Sequence, residues 1–176
     1  MTSRTTEPLT FSFKDDGAVP NHPRWPMLVY KAALDLSRSR DPEGEMEKLF
    51  AANGWGHGQW RNGIYPFAHY HSKIHEVLGV ARGHAKVRFG GDAGEVLDLA
   101  PGDVAVLPAG TGHQRLSDSG GLVVIGAYPP EGTYNLCRGD NPADHGPALK
   151  TIPLVPKPSS DPVAGRDGPL LAIWTS

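Results

Sequence analysis

Between Trp60 and Tyr128 apolar and polar residues alternate with a period of two, in short runs broken by Gly, Pro or small polar turns. Successive side chains of a strand point to opposite faces. The rhythm therefore predicts strands over 63–71, 75–81, 84–89, 95–99, 103–107, 113–117 and 122–128, folded into a compact antiparallel barrel. His84 and Arg88 fall in the opposite phase to Ala85, Val87 and Phe89, and so belong to an outer face. Upstream the period changes. Met46, Leu49 and Phe50 recur at helical spacing, Asp41 can cap a first turn, Pro42 suits a position whose N–H is unpaired, and Glu43 sits near the positive end of the dipole. With Asn53-Gly54 as a left-handed stop, a short amphipathic helix is expected over 42–52.

Residues 1–10 read as a mobile N-terminus, and 11–30 as an irregular arm ending in a strand over 27–30. After Tyr128 the chain is rich in proline, with a helical turn expected near 141–149. Its close, with Leu170, Leu171, Ile173 and Trp174, is too apolar for a free linker and should pack on the barrel or on a second copy. The expected architecture is all-β: one domain over 1–176, with arm and short helix at 11–59, β-barrel at 60–128 and a proline-rich tail at 129–176.

Composition narrows the function. The 22 Gly and 17 Pro are spread through the chain rather than blocked, as suits many short strands joined by tight turns. A formal net charge of -2 offers no broad basic surface, which argues against nucleic-acid binding. The N-terminus lacks an apolar signal core and no later segment suits a bilayer, so a cytoplasmic protein without membrane contact is expected. Cys137, the one cysteine, reads as a buried free thiol, with nucleophilic catalysis a lesser alternative.

Candidate chemistry is concentrated in two stretches. Gly63–Gly83 holds His69, His71 and Glu76; Gly102–Ser117 holds His113. His69 and His71, two apart in a strand, point the same way. If 72–74 forms a hairpin turn, Glu76 comes opposite His71 and His75 points outward. A neighbouring strand must supply His113. Imidazoles with a carboxylate and no thiolate suit one divalent transition metal, iron or manganese first, with nickel, copper or zinc open. Because imidazole must be neutral to ligate, affinity should fall as pH drops below roughly 6.5.

Counting by twos from these residues places Tyr65 and Phe67 with His69, Leu78 and Val80 with Glu76, and Arg115 and Ser117 with His113. Tyr65, Phe67, Leu78, Arg115 and Ser117 are thus candidate substrate contacts in a mainly apolar cavity. Arg115 has two readings of equal weight: a partner for an anion, or a residue of the barrel mouth paired with a surface acid. His57, between Gly56 and Gly58, reads as part of a loop that can fold over the opening, although a solvated loop histidine is commoner. His22 and His145 carry no signal above background.

The spacing G-x5-H-x-H-x4-E-x6-G at Gly63, His69, His71, Glu76 and Gly83 resembles the first motif of the cupins, and G-x5-P-x-G-x2-H at Gly102, Pro108, Gly110 and His113 resembles their second. The cupins usually carry Asn four residues after that histidine; this chain has Ser117, a departure that bears on substrate more than on metal. The wording DDGAVPNHP, NGW, HYHS, HEVLG, LPAGTGH and GAYP is similar to small bacterial cupins of the YjlB type, over most of Phe11 to Trp174. The resemblance implies a double-stranded β-helix, or jelly roll, with His69, His71, Glu76 and His113 as metal ligands.

Two function classes follow. One is a metal-dependent oxidoreductase, most plausibly a dioxygenase, acting on a small oxyanion, with Glu76 both ligating and able to accept a proton; a sugar isomerase or a lyase is a variant of this class. The other is a non-catalytic protein that binds or stores a small molecule, since one fold hosts both roles. No helix-turn-helix candidate supports a DNA-binding sensor. An apolar tail and open sheet edges lead to the expectation of a homodimer.

Overall fold

The computed structural model describes residues 7–175. Two antiparallel sheets make up the fold. The strands are β1 (Leu9–Phe11), β2 (Met27–Tyr30), β3 (His57–Asn62), β4 (His69–Tyr70), β5 (Glu76–Arg82), β6 (Ala85–Phe89), β7 (Glu95–Leu99), β8 (Val104–Leu107), β9 (His113–Asp118), β10 (Val123–Tyr128) and β11 (Cys137–Arg138). Helices α1 (Pro42–Ala52), α2 (Pro142–Thr151) and α3 (Pro169–Ile173) flank them. One sheet runs β1-β2-β8-β5-β10-β3 and the other β11-β4-β9-β6-β7. The result is the expected all-β jelly roll, and among the described residues no helix is long and apolar enough to cross a membrane.

Alternation sorts the core into two layers. Val29, Leu78, Val80, Val87, Phe89, Ala105, Leu107 and Val124 meet between the sheets. Their neighbours Val77, Ala81, Val104, Val106, Ile125 and Ala127 face outward and are covered by Met46 and Phe50 of α1 and by Leu170 and Trp174 of the tail. Strands β2, β5 and β8 are consequently buried on both faces, β5 up to its last residue. Helix α1 starts as expected, with Asp41 accepting from the Gly44 N–H at 3.0 Å and Pro42 in the first turn. The apolar tail packs on its own chain: Trp174 is fully buried, its ring lies parallel to Trp25 at 5.3 Å, and its indole N–H donates to the Pro26 carbonyl at 2.8 Å.

Four expectations need correction. Residues 1–6 of the expected mobile terminus lie outside the described residues, but Leu9–Phe11 is an ordered strand on β2. The run 63–71 is strand only at His69–Tyr70, because Pro66 has no N–H for a ladder and the preceding residues form bends. Residues 72–74 are not a hairpin turn; they carry the chain from one sheet to the other, so Glu76 meets His71 across the sandwich rather than along one sheet. His57 is not on a lid: it opens β3, paired to Tyr128 of β10.

Gly126 shows how tightly the inner wall is built. A Cβ there would lie 1.9 Å from the Trp60 indole, which itself donates to the Tyr128 hydroxyl at 2.9 Å. Gly126→Ala is expected to destabilise the protein by about 1–3 kcal/mol, the usual effect of overpacking, measured by urea unfolding. An unchanged midpoint would mean that Trp60 is free to move.

Candidate metal centre

Glu76 opens β5 and is buried in the sandwich, while His69 and His113 face each other across β4 and β9. His71 follows β4 directly. Its carbonyl accepts from the Gly110 N–H at 2.7 Å, tying the two motifs together. Gly110 has a φ of 92°, and a Cβ would lie 2.6 Å from Ile152 and 2.9 Å from the Asn21 carbonyl oxygen, so the turn before His113 requires glycine. Asn21 pins the same turn: its side chain accepts from Gly112 N–H at 3.1 Å and donates to the Lys14 and Gly90 carbonyls.

One ligand atom from each of His71, Glu76 and His113 lies within 4.8 Å of the other two, and all three residues are buried. The group can hold a metal ion. His69 stands beside it, its ring 3.9 Å from that of His113 and 6.2 Å from that of His71. Backbone carbonyls set the tautomers. His69 Nδ1 lies 2.9 Å from Phe67 O, His71 Nδ1 2.5 Å from Asn135 O and His113 Nδ1 3.1 Å from Thr111 O. A carbonyl only accepts, so each Nδ1 carries the proton and each neutral ring keeps its Nε2 lone pair free. For His71 and His113 that lone pair faces the Glu76 carboxylate, at 3.0 Å from Oε2 and 3.2 Å from Oε1. Despite this proximity Oε1 is buried and accepts no hydrogen bond.

Acceptor atoms facing one another at such distances repel unless a proton on an imidazole or a metal ion lies among them, and the second is the situation of metal-ligating histidines held by outer carbonyls. The donor set thus fits a divalent ion. Burial opposes the charged form of His71, but the Glu76 carboxylate outweighs it and pushes the imidazole up. Burial likewise raises Glu76, while His71 and His113 more than reverse it and hold the carboxyl well below its usual range. His69 is held down to about 3 by burial, with His113 beside it.

The group lies in the wall of a cavity of about 880 Å³. Tyr65, Leu78 and Arg115 line it. Phe67 does not: its ring stacks behind Tyr65 at 4.9 Å, with the Arg138 guanidinium 3.8 Å from its centre. Ser117 is also displaced. Arg115 pairs with Val87, yet Ser117 pairs with the next β6 residue, Lys86, so Leu116 is an extra residue in β9. That bulge flips the phase, exposing Ser117 and bringing Asp118 to the cavity instead. Arg115 combines both readings: it lines the cavity, but Nη1 is 2.6 Å from the Asp118 carboxylate and Nε donates to Ile64 O.

His75 faces away from the cavity, in the direction its phase predicts, but it is not a surface residue: it is fully buried, with Trp25 and Trp174 covering it. Its Nδ1 accepts from the Ala109 N–H at 2.9 Å, and Nε2 therefore donates to Pro156 O at 3.0 Å. Burial holds it down to about 3. Cys137 is the expected buried free thiol, raised by burial. Tyr128 and Tyr134 line the cavity and were absent from the sequence reading. Counting by twos from Val124 would have found Tyr128; nothing local marks Tyr134, which follows a Pro-Pro loop. The Tyr128 hydroxyl accepts from Trp60, leaving its own O–H to donate, and burial with the nearby Glu76 carboxylate raises its pKa.

No family model matches the chain. Solved structures similar to part of it include acireductone dioxygenase from Bacillus anthracis with a cadmium ion in its active centre, 17% identical over 60% of this chain and 80% of that one at a TM-score of 0.39. Another is a Bacillus subtilis oxalate decarboxylase, 14% identical over 67% of this chain and 29% of that one at a TM-score of 0.36. A full-length relative is "Uncharacterized protein YjlB" of Bacillus subtilis, 39% identical over 168 residues. Since that identity spans 96% of this chain and 97% of its relative, and both motifs stand in one jelly roll, the chain belongs to the YjlB family of cupins.

Proposed function

We propose that this is a cytoplasmic metalloenzyme in which His69, His71, Glu76 and His113 hold one divalent transition metal, iron or manganese before nickel, copper or zinc. Its substrate is a small oxyanion and its reaction an oxidoreduction, a dioxygenation first. The carrying observation is the cluster of acceptors: His71 and His113 turn Nε2 lone pairs toward a buried carboxylate whose Oε1 accepts no hydrogen bond. A divalent ion there supplies Lewis acidity and a template for an oxyanion. The chain's own residues do the rest. Backbone carbonyls fix the imidazoles, Tyr128 offers a hydroxyl proton, and Glu76, kept anionic by its imidazole neighbours, is the proposed proton acceptor. Strands β3 and β7, exposed at the ends of the two sheets, support a homodimer as part of this reading, which light scattering at micromolar concentrations checks.

Elemental analysis of untagged protein purified without chelators under low oxygen should find a stoichiometric transition metal. Oxygen uptake with a panel of small acids, diols and thiols should then depend on that metal. Stoichiometric metal without turnover would leave a binding or storage protein; no metal even after reconstitution at neutral pH would overturn the proposal.

A further inference from the structure

Beyond an oxyanion head, the cavity specifies the body of its ligand. Its volume of about 880 Å³ is in the range of pockets that enclose a drug-sized molecule, far more than a two-carbon acid occupies. Neither arginine of its walls is free: Arg115 is paired with Asp118, and Arg61 with Glu47. A second anionic group on the ligand would therefore have to break an existing ion pair.

Aromatic surface, by contrast, is in excess. Tyr65 and Tyr134 both line the cavity and are 46% and 52% exposed, unusual for side chains of this type. Each packs against one candidate ligand, Tyr65 edge-on to His69 at 5.2 Å and Tyr134 tilted to His71 at 5.1 Å. Phe67 covers one face of Tyr65, and Tyr128 meets Tyr134 edge-on at 5.7 Å. Neither Tyr65 nor Tyr134 has a hydrogen-bond partner for its hydroxyl among the described residues, so ring packing holds both side chains beside the histidines while their outer faces stay open to the cavity. Ile64, Ile74 and Leu122 continue the apolar wall.

We infer that the ligand of this cavity, resting on the metal-binding function proposed for it, is a singly anionic chelating oxyanion with a neutral aromatic body that packs against Tyr65 and Tyr134. Phosphorylated sugars and dicarboxylates are disfavoured by the same geometry, because the arginines that their second charge would meet are already paired.

Three α-hydroxy acids share one chelating head and test the body alone: glycolate has none, mandelate carries a phenyl ring and malate a second carboxylate. The full chain loaded with cobalt(II) is titrated with each, binding being read from the visible absorption of the cobalt, with its content measured alongside. Mandelate should bind at least about tenfold tighter than glycolate, as one buried aromatic contact supplies, and malate no tighter than glycolate. Tyr65→Ala and Tyr134→Ala should each shrink the mandelate preference at least about threefold, and Tyr134→Phe should restore it because the ring makes the contact. Bound cobalt with equal glycolate and mandelate affinities, or with malate the tightest, overturns this inference and leaves the metal function standing. Failure to retain cobalt overturns both.

Discussion

Replacing Glu76 with glutamine is expected to weaken binding of a divalent transition metal by about 100-fold or more, measured by competition with a chromophoric chelator. Changes to groups that merely support metal ligands lower affinity by about 10–100-fold, and loss of the buried carboxylate itself should exceed that. The isosteric amide keeps the shape, and its N–H can donate to the Nε2 lone pair of His71 or His113, so circular dichroism should report an unchanged fold. His71→Ala and His113→Ala should lose metal comparably. His69→Ala should lose less, since His69 stands beside the tight group rather than in it. If Glu76→Gln bound metal as well as the parent, the cluster would be a structural polar network and the metal function would fall.

Acid should unfold this protein partly through His22, which is not among the residues lining the cavity. Its Nδ1 accepts from the Arg24 and Trp25 N–H groups, so the proton sits on Nε2, which is buried without a partner. The ring stacks on Trp25 at 4.7 Å, with His75 at 6.4 Å, and no carboxylate among the described residues offsets its burial. Burial, with the Arg24 charge, holds it down from 6.5 to about 4. The unfolded chain therefore binds this proton more readily than the folded one. The stabilisation is complete above pH 6.5, declines as pH falls toward 4, and is absent below that. Between pH 7.5 and 5 the loss from this group is about 2 kcal/mol. His22→Asn keeps an acceptor for the two N–H groups and removes the titration. Urea unfolding of metal-free protein at the two pH values should show a decline smaller by that amount in the variant, with His69 and His75 contributing equally to both proteins. Identical declines would show that His22 is charged or hydrated in the folded state.

Periodicity reached most of the scaffold because strands β5, β6, β8 and β10 are short and half- or fully buried, so which residues are apolar reports directly on which way they point. It failed at one register change and at one proline. The extra Leu116 in β9 inverted the phase of Ser117, and Pro66 kept 63–68 out of the ladder that Phe67 was counted on. His75 was misplaced for another reason: the alternation correctly turned it away from the cavity, but what covers that face is Trp174, about a hundred residues later, and no local pattern reports so distant a contact.

The candidate ligand types and their spacing were determined by the sequence alone, since His69, His71, Glu76 and His113 lie on short segments whose turns are fixed by nearby Gly and Pro. Their protonation and partnership were decided only by the tertiary structure. Carbonyls of Phe67 and Thr111 are local, but Asn135 reaches His71 from 64 residues away, and Glu76 faces both imidazoles because the two sheets stack. The same holds for the aromatic wall: Tyr65 and Tyr134 belong to irregular segments, where side-chain direction follows from packing rather than from any backbone period.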